Sequence, residues 1–220
     1  MSRDDEALDR VKEHLRRLAA SLPETMEHLK TLTDLEGGDR ELRDPDKERQ
    51  RLTSLAAYLE HYGRPDARTV GPVHLRDVLE EAVALARGEI EIKGRVGTSF
   101  LEAPLVTGNP RALGQVFVSM LINASQALPV GAPEDNYVAV ELDTNEDGWA
   151  RVAIADSGSG ISPDDLPYVF QPLYSTKRGK GMGIGLAVVR EIITGLGGEI
   201  SVESAPGRGT LFIIELPPTS

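Results

Sequence analysis

Leu8, Val11, Leu15, Leu18, Leu22, Met26, Leu29 and Leu32 recur at spacings of three and four, the apolar stripe of a bundle or coiled-coil helix. Pro23, with Ser21 and Glu24 around it in a capping-box pattern, predicts a kink or a restart near residue 22. After the Glu36-Gly37-Gly38 break, Asp44 and Pro45 read as the N-cap and first position of a second helix. It carries Leu52, Leu55, Leu59 and Tyr62 and ends at Gly63 and Pro65. Two helices alone leave their stripes uncovered, whereas two copies of such a hairpin share one core. Residues 1–67 are therefore expected to form a helical hairpin that dimerises into a four-helix bundle.

From residue 68 the pattern changes. An amphipathic helix is predicted from Leu75 to Arg87, an alternating strand around Ile90 to Val96, and a long helix from Arg111 to Leu128. Strands follow at Tyr137 to Leu142 and Trp149 to Ala155, then a short helix from Asp164 to Val169 and another from Ile184 to Leu196. A hairpin of Glu199 to Ser204 and Thr210 to Leu216 closes the chain. Helices and strands alternate without regular βαβ spacing, so residues 68–220 read as an α+β layer, a mixed sheet with helices on one face.

Composition sharpens this division. Residues 1–70 hold 13 basic and 16 acidic side chains and three glycines, whereas the other 19 of the 22 glycines lie beyond them, where tight turns must concentrate. No cysteine is present, which removes disulfides and thiolate chemistry, and no apolar run approaches the roughly 18 residues of a membrane span. The acidic N-terminus lacks an apolar signal core, which makes a cytoplasmic location the expectation. A net charge of −11 argues against general nucleic-acid binding. Between Gln171 and Arg190, however, every charged residue is basic (Lys177, Arg178, Lys180, Arg190), the mark of a local anion site.

Candidate chemistry gathers in glycine-bearing clusters. Asp156-Ser157-Gly158-Ser159-Gly160-Ile161 places a carboxylate at a strand end before glycines that let the backbone approach a planar ligand. Gly179 to Leu186 sets Gly181, Gly183 and Gly185 at a helix entry, where free amides attract phosphate. Gly207-Arg208-Gly209-Thr210 reads as a hairpin turn. On the long helix, Gln115, Ser119, Asn123 and Gln126 form a polar ridge beside an apolar face, and an amide oxygen there suits a hard cation carrying phosphates. Taken singly, these features also read as a turn aspartate, a flexible loop, a hairpin turn and a capping or surface asparagine.

Their order is more specific. Leu113 through Ala127, the Asp156 cluster, Phe170-Gln171-Pro172-Leu173-Tyr174-Ser175-Thr176-Lys177, the Gly181 cluster and Pro206 to Thr210 together resemble the N, G1, F, G2 and G3 boxes of the histidine-kinase catalytic domain. The resemblance covers about residues 68 to 220 and implies the Bergerat ATP-binding fold, shared by histidine kinases, gyrase-type ATPases and Hsp90 chaperones. It implies that Asp156 recognises the adenine amino group, that Asn123 holds Mg²⁺, and that Gly158 and Gly160 shape the base pocket. Gly181, Gly183, Gly185 and the adjoining Leu186 then line the phosphates, Thr210 supports the adenine side, and Phe170 to Lys177 form an ATP lid with Lys177 among its cations. Ser157 is expected at the pocket only through its backbone.

Two departures from the family pattern matter. Ser119 stands where hydrolytic relatives have a water-activating glutamate, so transfer to a protein group is favoured over hydrolysis. The usual acceptor string, His followed by a carboxylate and then Asn or Thr and Pro, does not occur. Of His14, His28, His61 and His74, His28 is the chosen phosphoacceptor, because Glu27 precedes it and Glu24 lies one turn earlier, able to orient the ring or take its proton. The function implied is an ATP-dependent protein histidine kinase of a two-component system, homodimeric, passing phosphate to the receiver domain of a response regulator and driven by an upstream sensor protein. The rival is an ATP-binding regulator without histidine phosphorylation.

Overall fold

The computed structural model describes residues 70–131, 133–171, 174 and 185–219. The hairpin expected over residues 1–67 lies outside them. In chain order the described elements are β1 (Gly71–Val73), α1 (Leu75–Glu91), β2 (Arg95–Phe100), β3 (Val106–Gly108), α2 (Pro110–Ala127), β4 (Tyr137–Thr144) and β5 (Ala150–Asp156). A 3-10 turn (Leu166–Tyr168), α3 (Gly185–Gly195), β6 (Glu199–Ser204) and β7 (Thr210–Leu216) complete them.

Five strands make a mixed sheet in the order β2-β4-β5-β7-β6. The β2–β4 pair is parallel and the other pairs are antiparallel. Alternation explains the layering: Val138, Val140 and Leu142 on β4, Val152 and Ile154 on β5, and Phe212, Ile214 and Leu216 on β7 are buried, while their neighbours in sequence are not. The helices cover that face with Leu79, Val83 and Ile90 of α1, Phe117 and Leu121 of α2, and Val189 and Ile193 of α3, all in one core. The expected architecture, a mixed sheet with helices on one face, is the one observed.

Three local expectations are corrected. Helix α1 runs past Arg87 to Glu91, and the strand placed at Ile90 to Val96 begins only at Arg95. Gly88 inside a helix costs about 1 kcal/mol relative to alanine, but burying Ile90 completely contributes roughly 1.5–3 kcal/mol and carries the helix through. The short helix at Asp164 to Val169 shrinks to the single 3-10 turn, with Pro167 inside it. A two-stranded ribbon of β1 and β3 was not foreseen, since three residues are too few to display a period. Next to β3, Leu105 O accepts a hydrogen bond from Thr219 N (2.7 Å), which fastens the end of the chain beside the ribbon.

Helix α2 begins where a cap requires it. Asn109 Oδ1 accepts from the N–H groups of Arg111 (2.9 Å) and Ala112 (3.1 Å), and Pro110 occupies the first turn, where its missing N–H costs nothing. This fixes the rotation of α2, and with it the line of Ser119 and Asn123.

Candidate nucleotide site

Asp156 ends β5 on the buried face and is only 6% exposed. In register it faces Thr210 on β7, and Thr210 in turn faces Ser204 on β6. The three side chains thus form one row across three strands. The Asp156 Oδ1 accepts from the Gly158 N–H (2.8 Å), a turn that bends the chain out of the strand directly after the carboxylate.

Glycines crowd this row because backbone lies where their side chains would be. A Cβ on Gly209 would sit 1.8 Å from the Asp156 carbonyl oxygen, and one on Gly160 would sit 2.0 Å from that of Ala205. Gly158 presses on the Ala127 carbonyl, 2.6 Å from where its own Cβ would be, and the Ser159 N–H donates to that carbonyl (3.0 Å). The Gly207 N–H closes the circle on Ser159 O (2.8 Å). The loop after β5, the β6–β7 turn and the C-terminal end of α2 are thereby held together around Asp156.

One helical turn before Ala127 on α2 stands Asn123, half-buried, and one turn earlier Ser119. Gly185, the first residue of α3, lies against both: a Cβ there would be 3.3 Å from Ser119 Oγ and 3.8 Å from Asn123 Nδ2. The third glycine of the Gly181 cluster and the polar ridge of α2 therefore meet. Leu186 packs partly buried against the core. Gln115 and Gln126 are exposed.

The described end of the Phe170 segment is fastened twice. Phe170 meets Phe212 edge to face at 6.3 Å, and the Arg190 guanidinium of α3 stands 5.6 Å above its ring. Arg190, counted by sequence among the cations of the anion site, is thus turned onto an aromatic ring. Tyr174 donates its hydroxyl to Asp165, which also accepts from Ser162 (2.7 Å). The Tyr174 and then the Ser162 hydroxyls hold the Asp165 carboxyl below the usual carboxylate range, and the hydrogen bond to Asp165 raises the Tyr174 phenol.

Asp156, Gly158, Gly160 and Thr210 are thus brought together, as are Asn123 and Gly185, whereas Lys177, Gly181, Gly183 and His28 lie outside the described residues. Ser157 does more than expected: besides its backbone bond to Tyr137 O, its hydroxyl accepts from the Tyr137 N–H (2.9 Å). Sequence reasoning missed Ser204. A lone serine on an alternating strand gives no signal, and its bonds become visible only once the β6–β7 turn is folded.

The model of the family described as histidine kinase-, DNA gyrase B- and HSP90-like ATPase matches residues 108–220. The sensor histidine kinase ZraS of Klebsiella oxytoca is 32% identical over 174 residues, 78% of this chain and 36% of that protein. The C4-dicarboxylate transport sensor protein DctB of Rhizobium meliloti is 33% identical over 171 residues, 76% of this chain and 26% of that protein. The chain therefore spans little more than a third of the one relative and about a quarter of the other. Among solved structures, the mycobacterial sensor histidine kinase MprB superposes with a TM-score of 0.59 at 26% identity, covering 68% of this chain and 99% of that one. With the Asp156–Thr210 row, the glycine collar and the Asn123–Gly185 contact in place, these likenesses put the chain in the family of histidine kinase-, DNA gyrase B- and HSP90-like ATPases.

Proposed function

We propose that this chain is the kinase portion of a two-component system: it binds Mg·ATP, phosphorylates His28, and passes the phosphoryl group to an aspartate on a response-regulator receiver domain. The observation that carries the reading is the meeting of the Asp156–Thr210 row with the Asn123–Gly185 contact through the last turn of α2. In this reading the row is the purine end and the Asn123–Gly185 contact the phosphate end. The family's ATPase character and the relatives' names support the same choice.

In this reading the Asp156 carboxylate accepts from the adenine amine and Thr210 lies beside it. Gly158 and Gly160 shape the base pocket, and Gly181, Gly183, Gly185 and Leu186 line the phosphates with Lys177. Among the described residues no group of three or more His, Cys, Asp or Glu side chains could hold a metal. Asn123 is the residue that would hold Mg²⁺, its amide oxygen being a hard donor suited to a cation that carries phosphates. The cation supplies charge neutralisation at the transferring phosphoryl group. A His28 imidazole nitrogen bonds to the γ-phosphorus, the bond to the β,γ-bridging oxygen breaks, ADP leaves, and the ring proton passes to Glu24. Orientation and electrostatics carry the rate. Among the described residues no helix is long and apolar enough to cross a membrane. The homodimer, an upstream sensor protein and a cytoplasmic location complete the proposal.

Absence of the usual acceptor string favours a second reading, an ATP-binding regulator without phosphotransfer. Incubation of the dimeric chain with γ-labelled ATP separates the two. Acid-labile, alkali-stable label is expected on wild type, absent from His28→Ala and strongly reduced in Asp156→Asn. Label persisting in His28→Ala removes His28, and no label on wild type that still binds ATP leaves the regulator.

A further inference from the structure

The hydroxyl of Ser204 is the hub of the row. It can donate one proton and accept two. Its partners are Gly209 O at 2.7 Å, the Ile161 N–H at 2.8 Å and Thr210 Oγ1 at 3.0 Å. A carbonyl oxygen only accepts, so the Ser204 proton goes to Gly209. A backbone N–H only donates, so it takes one lone pair of Ser204. The contact with Thr210 then has a single solution: Thr210 donates and Ser204 accepts. Committed in this way, the Thr210 hydroxyl turns only lone pairs toward its other neighbours, and Thr210 is 6% exposed, on the same buried face as Asp156.

We infer that Ser204 is a specificity-determining residue that acts through Thr210, fixing the polarity of that hydroxyl so that the Asp156 and Thr210 side chains both present acceptors at the base end of the site. The inference rests on the nucleotide reading above. A carboxylate beside an acceptor-only hydroxyl complements a base edge that carries an amine, directly or through a water that the amine orients. It opposes an edge that carries a carbonyl, because acceptor would face acceptor and leave buried polar groups unmatched. Adenine nucleotides present the amine at the six-position, and 6-oxopurine nucleotides present the carbonyl. Ser204 thus sets discrimination between two purine classes from one strand away, as a positioning residue with no contact of its own to the base.

The test measures binding of ATP and of inosine triphosphate to the full-length chain with magnesium, by calorimetry. The wild type is expected to prefer ATP by about tenfold or more, the effect of one mismatched polar contact. Ser204→Ala frees the Thr210 hydroxyl to rotate and donate, and the preference is expected to fall about fivefold, mainly through tighter inosine triphosphate. Ser204→Thr keeps the hydroxyl and should retain the wild-type preference. Thr210→Val, nearly isosteric, should lose ATP affinity while inosine triphosphate is little changed.

A merely structural role for Ser204 would weaken both nucleotides alike, so a preserved ratio in Ser204→Ala overturns the inference, as does a wild type without preference. Should Ser204→Ala not fold, an unchanged ratio in Thr210→Val or a lost one in Ser204→Thr overturns it equally. A wild type that binds neither nucleotide would instead remove the nucleotide reading itself.

Discussion

Gly207 and Gly209 lie two residues apart in the β6–β7 turn, both in the positive-φ region at +71° and +80°, yet only one is hemmed in. A Cβ on Gly207 meets nothing within 4 Å, whereas one on Gly209 would overlap the Asp156 carbonyl at 1.8 Å. Gly207→Ala therefore carries only the left-handed penalty, about 1–2 kcal/mol. For a chain of this size that lowers the thermal midpoint by roughly 2–8 °C. Gly209→Ala must also push β7 away from β5 at Asp156, so a clearly larger drop is expected, with ATP binding lost even at temperatures where the variant stays folded. Differential scanning calorimetry of the pair checks this; equal midpoints would mean that the close approach to Asp156 is not limiting. At this scale the sequence was informative wherever a residue type has few reasons to be present. A strand-ending aspartate before two glycines is such a case, and Ser204 is not.

Elements were legible in proportion to the length of their period. Helix α2 and strands β4 to β7 each repeat their pattern over six residues or more and were found close to their true ends. The ribbon strands, at three residues each, were not. The end of α1 is obscured in the sequence because Ile90 and Ile92 look like strand alternation, while only Ile90 reaches the core and Ile92 is 75% exposed. The element between β5 and α3 poses the functional question, since Phe170 and Arg190 stand on either side of the basic stretch and touch. A guanidinium over an aromatic ring near the surface contributes about 0.5–1 kcal/mol, and Phe170 is half-buried. If that contact holds the two ends of the stretch in register for the phosphates, Arg190→Ala should raise the dissociation constant for ATP by roughly two- to fivefold. AMP, which lacks the outer phosphates, should be affected much less. Calorimetric titration with both nucleotides reads the difference, and equal losses would instead assign Arg190 to general packing.

At the scale of the whole molecule, every described residue of the proposed site lies between Asn123 and Thr210. The apolar stripe that begins at Leu8 lies elsewhere in the sequence, in the stretch that holds His28. If the stripe builds a four-helix bundle from two copies, assembly and nucleotide binding should be separable functions of one chain. Sedimentation of the wild type is then expected at twice 23.8 kDa. Charges in the stripe, Leu15→Asp with Leu18→Asp, place two carboxylates from each copy in the shared core; an unpaired buried carboxylate costs several kcal/mol, which should drive the protein to monomer at micromolar concentration. The monomer should bind ATP with an affinity within about twofold of wild type, since no described residue of the proposed site belongs to the stripe, while label on His28 falls sharply if the bundle is what presents it. A double variant that remains dimeric would place the interface elsewhere, and a monomer that labels as fast as wild type would show that His28 is presented without the bundle.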